Sequence, residues 1–230
     1  MKILTNMLEG FAVRKTDSIH RAPACVAAGV RFIASLLATL ALTGCVGEIL
    51  QSKVDEPQTY VLQASDAGTA AVAYPIRLSV ALPSATPGLD TQRIVVLRNG
   101  NRLDYYYGAR WGGTAPQVVQ SFLISLLQNQ QGYKNVVAES ARLDADYLID
   151  IDLRHFQAEY VNGKDAPTIH VALWATVSEV KSRKSVAALQ ASASVAASDN
   201  RLGAVVTAFQ SATQQASASL SEQLAASFAK

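Results

Sequence analysis

Several groups of side chains in this sequence are of a type and spacing that can do chemistry. Asp150 and Asp152 stand two apart in Tyr147–His155, a run that alternates apolar and polar residues, so both carboxylates project from one face of a strand. A neighbouring pair of carboxylates can act as general acid and base. On a wet strand face, such pairs more often only keep the surface solvated. His155 and His170 are the histidines outside the first 20 residues, and adjacent strands can bring them together. A zinc site would still need a third ligand. Serines are abundant towards the C-terminus, but no histidine lies near them in sequence, and they read as the solvent face of a helix. Gly-x-Ser-x-Gly, phosphate-binding and dinucleotide fingerprints do not occur. The chain therefore reads as a non-enzyme with no metal and no cofactor.

The thiol of Cys45 is the exception. Behind Arg31 runs an apolar stretch from Phe32 to Leu42, too short to span a bilayer but of the length of a signal-peptide core. It ends in Leu42-Thr43-Gly44-Cys45, which resembles a bacterial lipobox. Lipid attachment needs a thiol nucleophile at the membrane face, and the peptidase needs small residues before the cut. The motif implies that residues 1–44 are a lipoprotein signal peptide recognised through Leu42, Thr43 and Gly44. It implies further that Cys45 carries palmitate-type acyl chains, more than one of which is needed for stable anchoring. The competing reading is an ordinary secretory leader with an incidental cysteine. The other cysteine, Cys25, lies in the leader, so the mature chain has no pair for a disulfide. The 31-residue stretch before the apolar core is long and leaves open a start downstream of Met1, such as Met7.

Charge separates leader from domain. Residues 1–44 hold five basic and two acidic residues, whereas residues 45–230 hold 15 basic and 16 acidic. A near-neutral domain argues against a nucleic-acid partner, which would require net positive charge in the folded part. With half of its residues apolar, the chain can bury a core.

The elements that must position these groups follow from periodicity. Residues 45–58 read as a tether and 59–230 as one domain. Strands are predicted at Tyr60–Leu62, at Ile76–Leu82 and at Ile94–Leu97. The Asn99-Gly100 turn then joins the last of these to Arg102–Tyr107. Thr114 and Gln117 form a capping box, with Pro116 in the first turn, ahead of a helix carrying Val118, Phe122, Leu126 and Leu127 on one face; Gly132 is its expected stop. Val136-Val137, Tyr147–His155, Ile169–Val177 and Ser185–Ala197 follow as strands. Asn162–Lys164 and Lys181–Lys184 are the expected turns between the last three. Val205–Ala229 closes the chain as a helix with Val206, Phe209, Thr213, Ala216, Leu220, Leu224 and Phe228 inward. The sum is an α+β fold: a mostly antiparallel or mixed sheet of six to eight strands with two helices packed on it.

Tyr105, Tyr106, Tyr107 and Trp111 sit among Gly108, Gly112 and Gly113. Alternate rings of such a cluster belong in the core. The others, with Arg110, fit a partner contact, and Tyr106, Arg110 and Trp111 are the residues assigned to it. Lys181, Arg183 and Lys184 read as a solvated turn, or alternatively as a patch for anionic lipid.

Leu89–Val96, Leu103–Tyr107 running to Ala109-Arg110-Trp111, Ala145–Leu153 and Ala204–Phe209, in this order behind a lipobox, resemble the ABC-type transport auxiliary lipoproteins, the PqiC-like family. The resemblance covers about residue 58 to the end. It implies an accessory subunit of an MCE-type ABC lipid-transport system, with an MCE-domain protein, a permease and an ATPase as partners. It also implies attachment at the periplasmic face, and Val46, in place of an inner-membrane-retaining Asp, favours the outer membrane. Self-association stays open. A lipid-binding carrier and a structural envelope lipoprotein without a transport role are the alternatives.

Overall fold

The computed structural model describes residues 56–65, 68–161 and 165–229. The leader, the lipobox with Leu42, Thr43, Gly44 and Cys45, and the Asn162–Lys164 turn lie outside the described residues.

Among the described residues, nine strands form one curled, mixed sheet. They are β1 (Gln58–Tyr60), β2 (Tyr74–Val80), β3 (Ser84–Ala85), β4 (Arg93–Arg98), β5 (Arg102–Trp111), β6 (Tyr133–Ala138), β7 (Tyr147–Tyr160), β8 (Thr168–Glu179) and β9 (Ser185–Ala196). Helix α1 (Ala115–Asn129) and helix α2 (Leu202–Phe228) share a single apolar core with the sheet. The α+β expectation holds. The strand count exceeds the expected six to eight, partly because the two-residue β3 sits inside the Pro83–Pro87 break, too short to leave a period in the sequence.

Long strand β7 organises the sheet. β8 pairs antiparallel along one edge of it from Tyr147 to Glu159. The other edge is shared by three parallel neighbours in succession: β2 at Tyr147–Ile149, β3 at Asp152–Leu153 and β4 at Ala158–Tyr160. A shift of register between Leu153 and His155 separates the segment paired with β3 from the one paired with β4. Before it, Ile149, Ile151 and Leu153 point inward; after it, Phe156 and Ala158 do. A one-residue bulge flips the faces of everything beyond it. β8 keeps strict alternation, and Ile169, Val171, Leu173, Ala175 and Val177 are all buried.

Turn and cap chemistry behaves as the residue types dictate. Asn99 (φ 53°) and Gly100 (φ 75°) both take positive φ between Arg98 and its partner Arg102. The Gln117 side chain accepts the Thr114 N–H at 2.9 Å. Gly132 is not the left-handed stop of α1; Gln131 takes that conformation (φ 54°). Gly132 is needed instead because a Cβ there would lie 3.0 Å from Ala70 Cβ, where residues 70–74 cross the helix end.

The inner face of α2 also departs from expectation. Ser217 and Ser221 are buried, so these serines do not face solvent. Together with Ala208, Ala212 and Ala216 they form a small-residue face that allows helix and sheet to approach closely. The Ser221 hydroxyl donates to Gln130 Oε1 at 2.6 Å.

Candidate interaction surfaces

The residues singled out for catalysis do not converge. Asp150 and Asp152 share the outer sheet face with Arg154 and Trp174 along a groove of about 380 Å³. Asp152 is neutralised by Arg154 at 2.5 Å, and that guanidinium lies 4.3 Å from the centre of the Trp174 ring. The two histidines have separate partners. His155 Nδ1 hydrogen-bonds Gln157 Nε2, while His170 meets Ser194 Oγ and lies 3.5 Å from Glu159. Among the described residues no group of three His, Cys, Asp or Glu is placed to hold a metal, and no helix is long and apolar enough to cross a membrane.

The aromatic cluster is sorted by a pronounced bulge in β5. Arg93 of β4 pairs with Arg110, and Val95 with Tyr105, so residues 106–109 arch out opposite Ile94 alone. Gly108 supplies the positive φ of the arch (φ 65°). Trp111 lies on the far side of the arch and is buried. Its ring is 5.1 Å from Phe209 and 5.6 Å from Phe156, and it is therefore a core residue rather than a partner contact. Tyr106 is half-buried; its hydroxyl meets that of Tyr160 at 2.9 Å, and burial followed by that bond drives its pKa upward. Tyr160 in turn donates to Asn200 and carries the Arg98 guanidinium 4.7 Å above its ring. Arg110 is exposed, as a partner contact requires, and donates through Nε to Thr59 Oγ1 at 3.1 Å. Tyr107, not singled out by sequence, is 90% exposed at the tip of the arch. Three consecutive tyrosines carry no parity signal that marks which one points out.

A second surface lies at the opposite end of the sheet. Among the described residues β9 pairs only with β8, and its twelve residues contain no charge and no proline. Natural sheet edges are usually blunted by such residues. The Gln223 side chain of α2 accepts the Gln190 N–H at 3.3 Å and donates to the Gln190 carbonyl at 2.9 Å. Gln190 therefore faces away from β8, and Ala188, Ser192 and Ser194 present their backbone groups to the same outer edge. Those groups have no partner among the described residues.

The same amide device secures the N-terminal segment. Gln210 accepts the Gln63 N–H at 3.0 Å and donates to its carbonyl at 2.5 Å, and Gln214 accepts the Ser65 N–H at 3.2 Å. Nothing in the local sequence marks these glutamines for that role. Their partners lie about 150 residues away, beyond the reach of any local pattern.

Residues 60–221 match the family described as ABC-type transport auxiliary lipoprotein component. No curated protein matches the chain. Among solved structures, protein XCC0632 from Xanthomonas campestris, of the family DUF330, is 23% identical with a TM-score of 0.69; the match covers 75% of this chain and 97% of that one. An uncharacterized protein is 14% identical with a TM-score of 0.57, over 74% of this chain and 99% of its own. At these identities the likeness concerns the fold.

Proposed function

This chain belongs to the ABC-type transport auxiliary lipoprotein family, and from that premise we propose that it is a lipid-anchored accessory subunit of an MCE-type ABC lipid-transport system. Acyl chains on Cys45 hold it at the periplasmic face of the outer membrane. The domain docks the MCE-domain protein, which works with its permease and ATPase, and the role is tethering, not catalysis. What supports docking is the outer edge of β9: on either side of Gln190, which Gln223 holds, this uncharged strand has open N–H and C=O groups of the kind to which a partner strand adds. The carrier alternative would need a lined apolar cavity. The larger grooves, of about 380 and 630 Å³, are lined in part by Asp and Arg side chains, and the apolar depression among Leu89, Val95, Leu97 and Leu103 measures about 160 Å³. Ligand-enclosing pockets run to about 300–1,000 Å³, so this depression does not favour that reading.

The test is crosslinking in cells with a C-terminally tagged chain, followed by pull-down and mass spectrometry, beside Cys45→Ser. Recovery of an MCE-domain protein, weakened by Cys45→Ser, is the expected result. Recovery of unrelated envelope proteins alone overturns the transport reading and leaves a structural lipoprotein. A Cys45→Ser chain that still sediments with membranes overturns the anchor.

A further inference from the structure

The β5 arch places two like charges against each other. Arg93 and Arg110 are direct cross-strand partners, an arrangement that destabilises a sheet unless something offsets it. Among the described residues neither has a carboxylate within 4.0 Å. Arg93 lies 3.8 Å from the centre of the Tyr105 ring, and Arg110 uses only Nε, towards Thr59. Asp104 also borders the groove, but its carboxylate accepts the Tyr105 N–H and is 3.5 Å from Arg98. The groove has a volume of about 630 Å³ and is lined in part by Arg93, Arg110, Tyr105, Tyr107 and Pro57. A single anion between the two guanidiniums would offset their mutual repulsion, and guanidinium groups match phosphate oxygens in geometry.

Position identifies the anion. β1 pairs parallel with β5, with Thr59 opposite Arg110, so the chain coming from Cys45 enters the fold at this groove. The twelve residues 46–57 reach at most about 40 Å when extended. Tyr107 projects from the same arch, and an exposed tyrosine is suited to a bilayer interface, where its ring is buried and its hydroxyl stays wet.

We propose that the Arg93–Arg110 groove binds the phosphate of anionic phospholipid headgroups, so that the β5 arch faces the bilayer. This rests on the lipid anchor proposed above. Two arginines alone give weak attraction, but the tether keeps the groove close to the headgroups and makes weak attraction sufficient. β9 lies at the other end of the hydrogen-bonded strand path from the arch.

The experiment uses the full lipidated chain in vesicles. A Tyr107→Cys variant takes an environment-sensitive fluorophore, because the mature chain's other cysteine, Cys45, is acylated. A Val186→Cys variant on β9 is the control. In vesicles containing phosphatidylglycerol, the Tyr107 probe is expected to shift to the blue and to be quenched by a headgroup-borne quencher, while the Val186 probe is not. In pure phosphatidylcholine the Tyr107 probe stays in water. Arg93→Gln with Arg110→Gln should lower the docked-to-undocked ratio about thirty-fold. A Tyr107 probe that behaves like the Val186 probe in phosphatidylglycerol overturns the proposal, as does a double variant that docks like the parent. A Tyr107 probe that shifts only when a transporter protein is added also overturns it and assigns the arch to a protein partner. Flotation separates the two readings. A parent chain that does not float with vesicles refutes the anchor, whereas one that floats with its Tyr107 probe in water refutes only the groove.

Discussion

Trp111 offers a sharp test of whether the aromatic cluster serves the core or a partner. Its ring is buried against Phe156 and Phe209, yet its Nε1 has no hydrogen-bond partner among the described residues. Two terms therefore oppose each other. Truncating a buried Trp to Ala costs about 3–5 kcal/mol in lost burial and cavity formation. Removing a buried, unpaired N–H returns about 1–3 kcal/mol. From the middle of each range, Trp111→Ala should thus cost about 2 kcal/mol. In Trp111→Phe most of the ring volume stays and the orphan donor goes, so the change should be within about 1 kcal/mol. Urea denaturation followed by circular dichroism measures both, run beside the crosslinking assay. If Trp111→Ala left stability within about 0.5 kcal/mol while abolishing crosslinks, the ring would be a contact and the packing argument wrong. If Trp111→Phe were as costly as Trp111→Ala, the indole N–H would have to be bonded.

Further outcomes follow from the polar contacts. Arg77 holds Asp146 through its guanidinium at 2.7 and 3.2 Å and its own N–H at 2.9 Å, lowering the carboxyl from 3.8 to about 2. The folded pKa is the lower one, so the stabilisation is present above about pH 4 and is lost as pH falls towards 2. With the side chain 35% exposed, screening leaves about 1 kcal/mol; acid titration of Asp146→Asn should lack that part of the decline. Gln210→Ala should speed hydrogen exchange at the Gln63 amide, and Gln214→Ala at the Ser65 amide, each changing global stability by less than about 1 kcal/mol. Ala188→Lys with Ser192→Lys puts charge along the outer edge of β9. Crosslinking to the transporter should fall sharply, with the urea midpoint moving by less than the equivalent of about 1 kcal/mol; an unchanged crosslink would remove β9 as the docking edge.

What sequence reveals here is what short-range physics decides. Alternation in β8, the Asn99-Gly100 turn and the start of α1 at Thr114 were all legible because each depends on residues within a few positions of one another. Three things were not. The β7 flip at Arg154-His155 comes from an extra residue, which no alternation rule announces. Trp111 was assigned to a partner because the arch at residues 106–109 breaks the parity between it and the tyrosines. Ser217 and Ser221 were assigned to solvent because composition records polarity, whereas their placement answers to size: a close helix–sheet approach admits Ser and Ala and excludes larger side chains. Of the candidate surfaces, Arg110 could be named from sequence, but its pairing with Arg93 is a register fact and becomes visible only once β4 and β5 are aligned.

The two surfaces are mechanically linked, and that bears on how a tether can orient a transporter. A continuous hydrogen-bonded path runs β1–β5–β4–β7–β8–β9. Helix α2 bridges the same two ends. Gln210 and Gln214 grip the segment after β1, and Gln223 grips β9. Thirteen residues separate Gln210 from Gln223, roughly 20 Å along the helix axis. Glutamine suits this task because its amide reproduces a strand's donor and acceptor on a side chain, and it carries no charge that burial would penalise. Whatever fixes the attitude of the β1–β5 end therefore fixes the attitude of β9 as well. A lipid anchor on a flexible leash limits only distance. A headgroup contact at the arch, carried through a rigid sheet and helix, would set direction too.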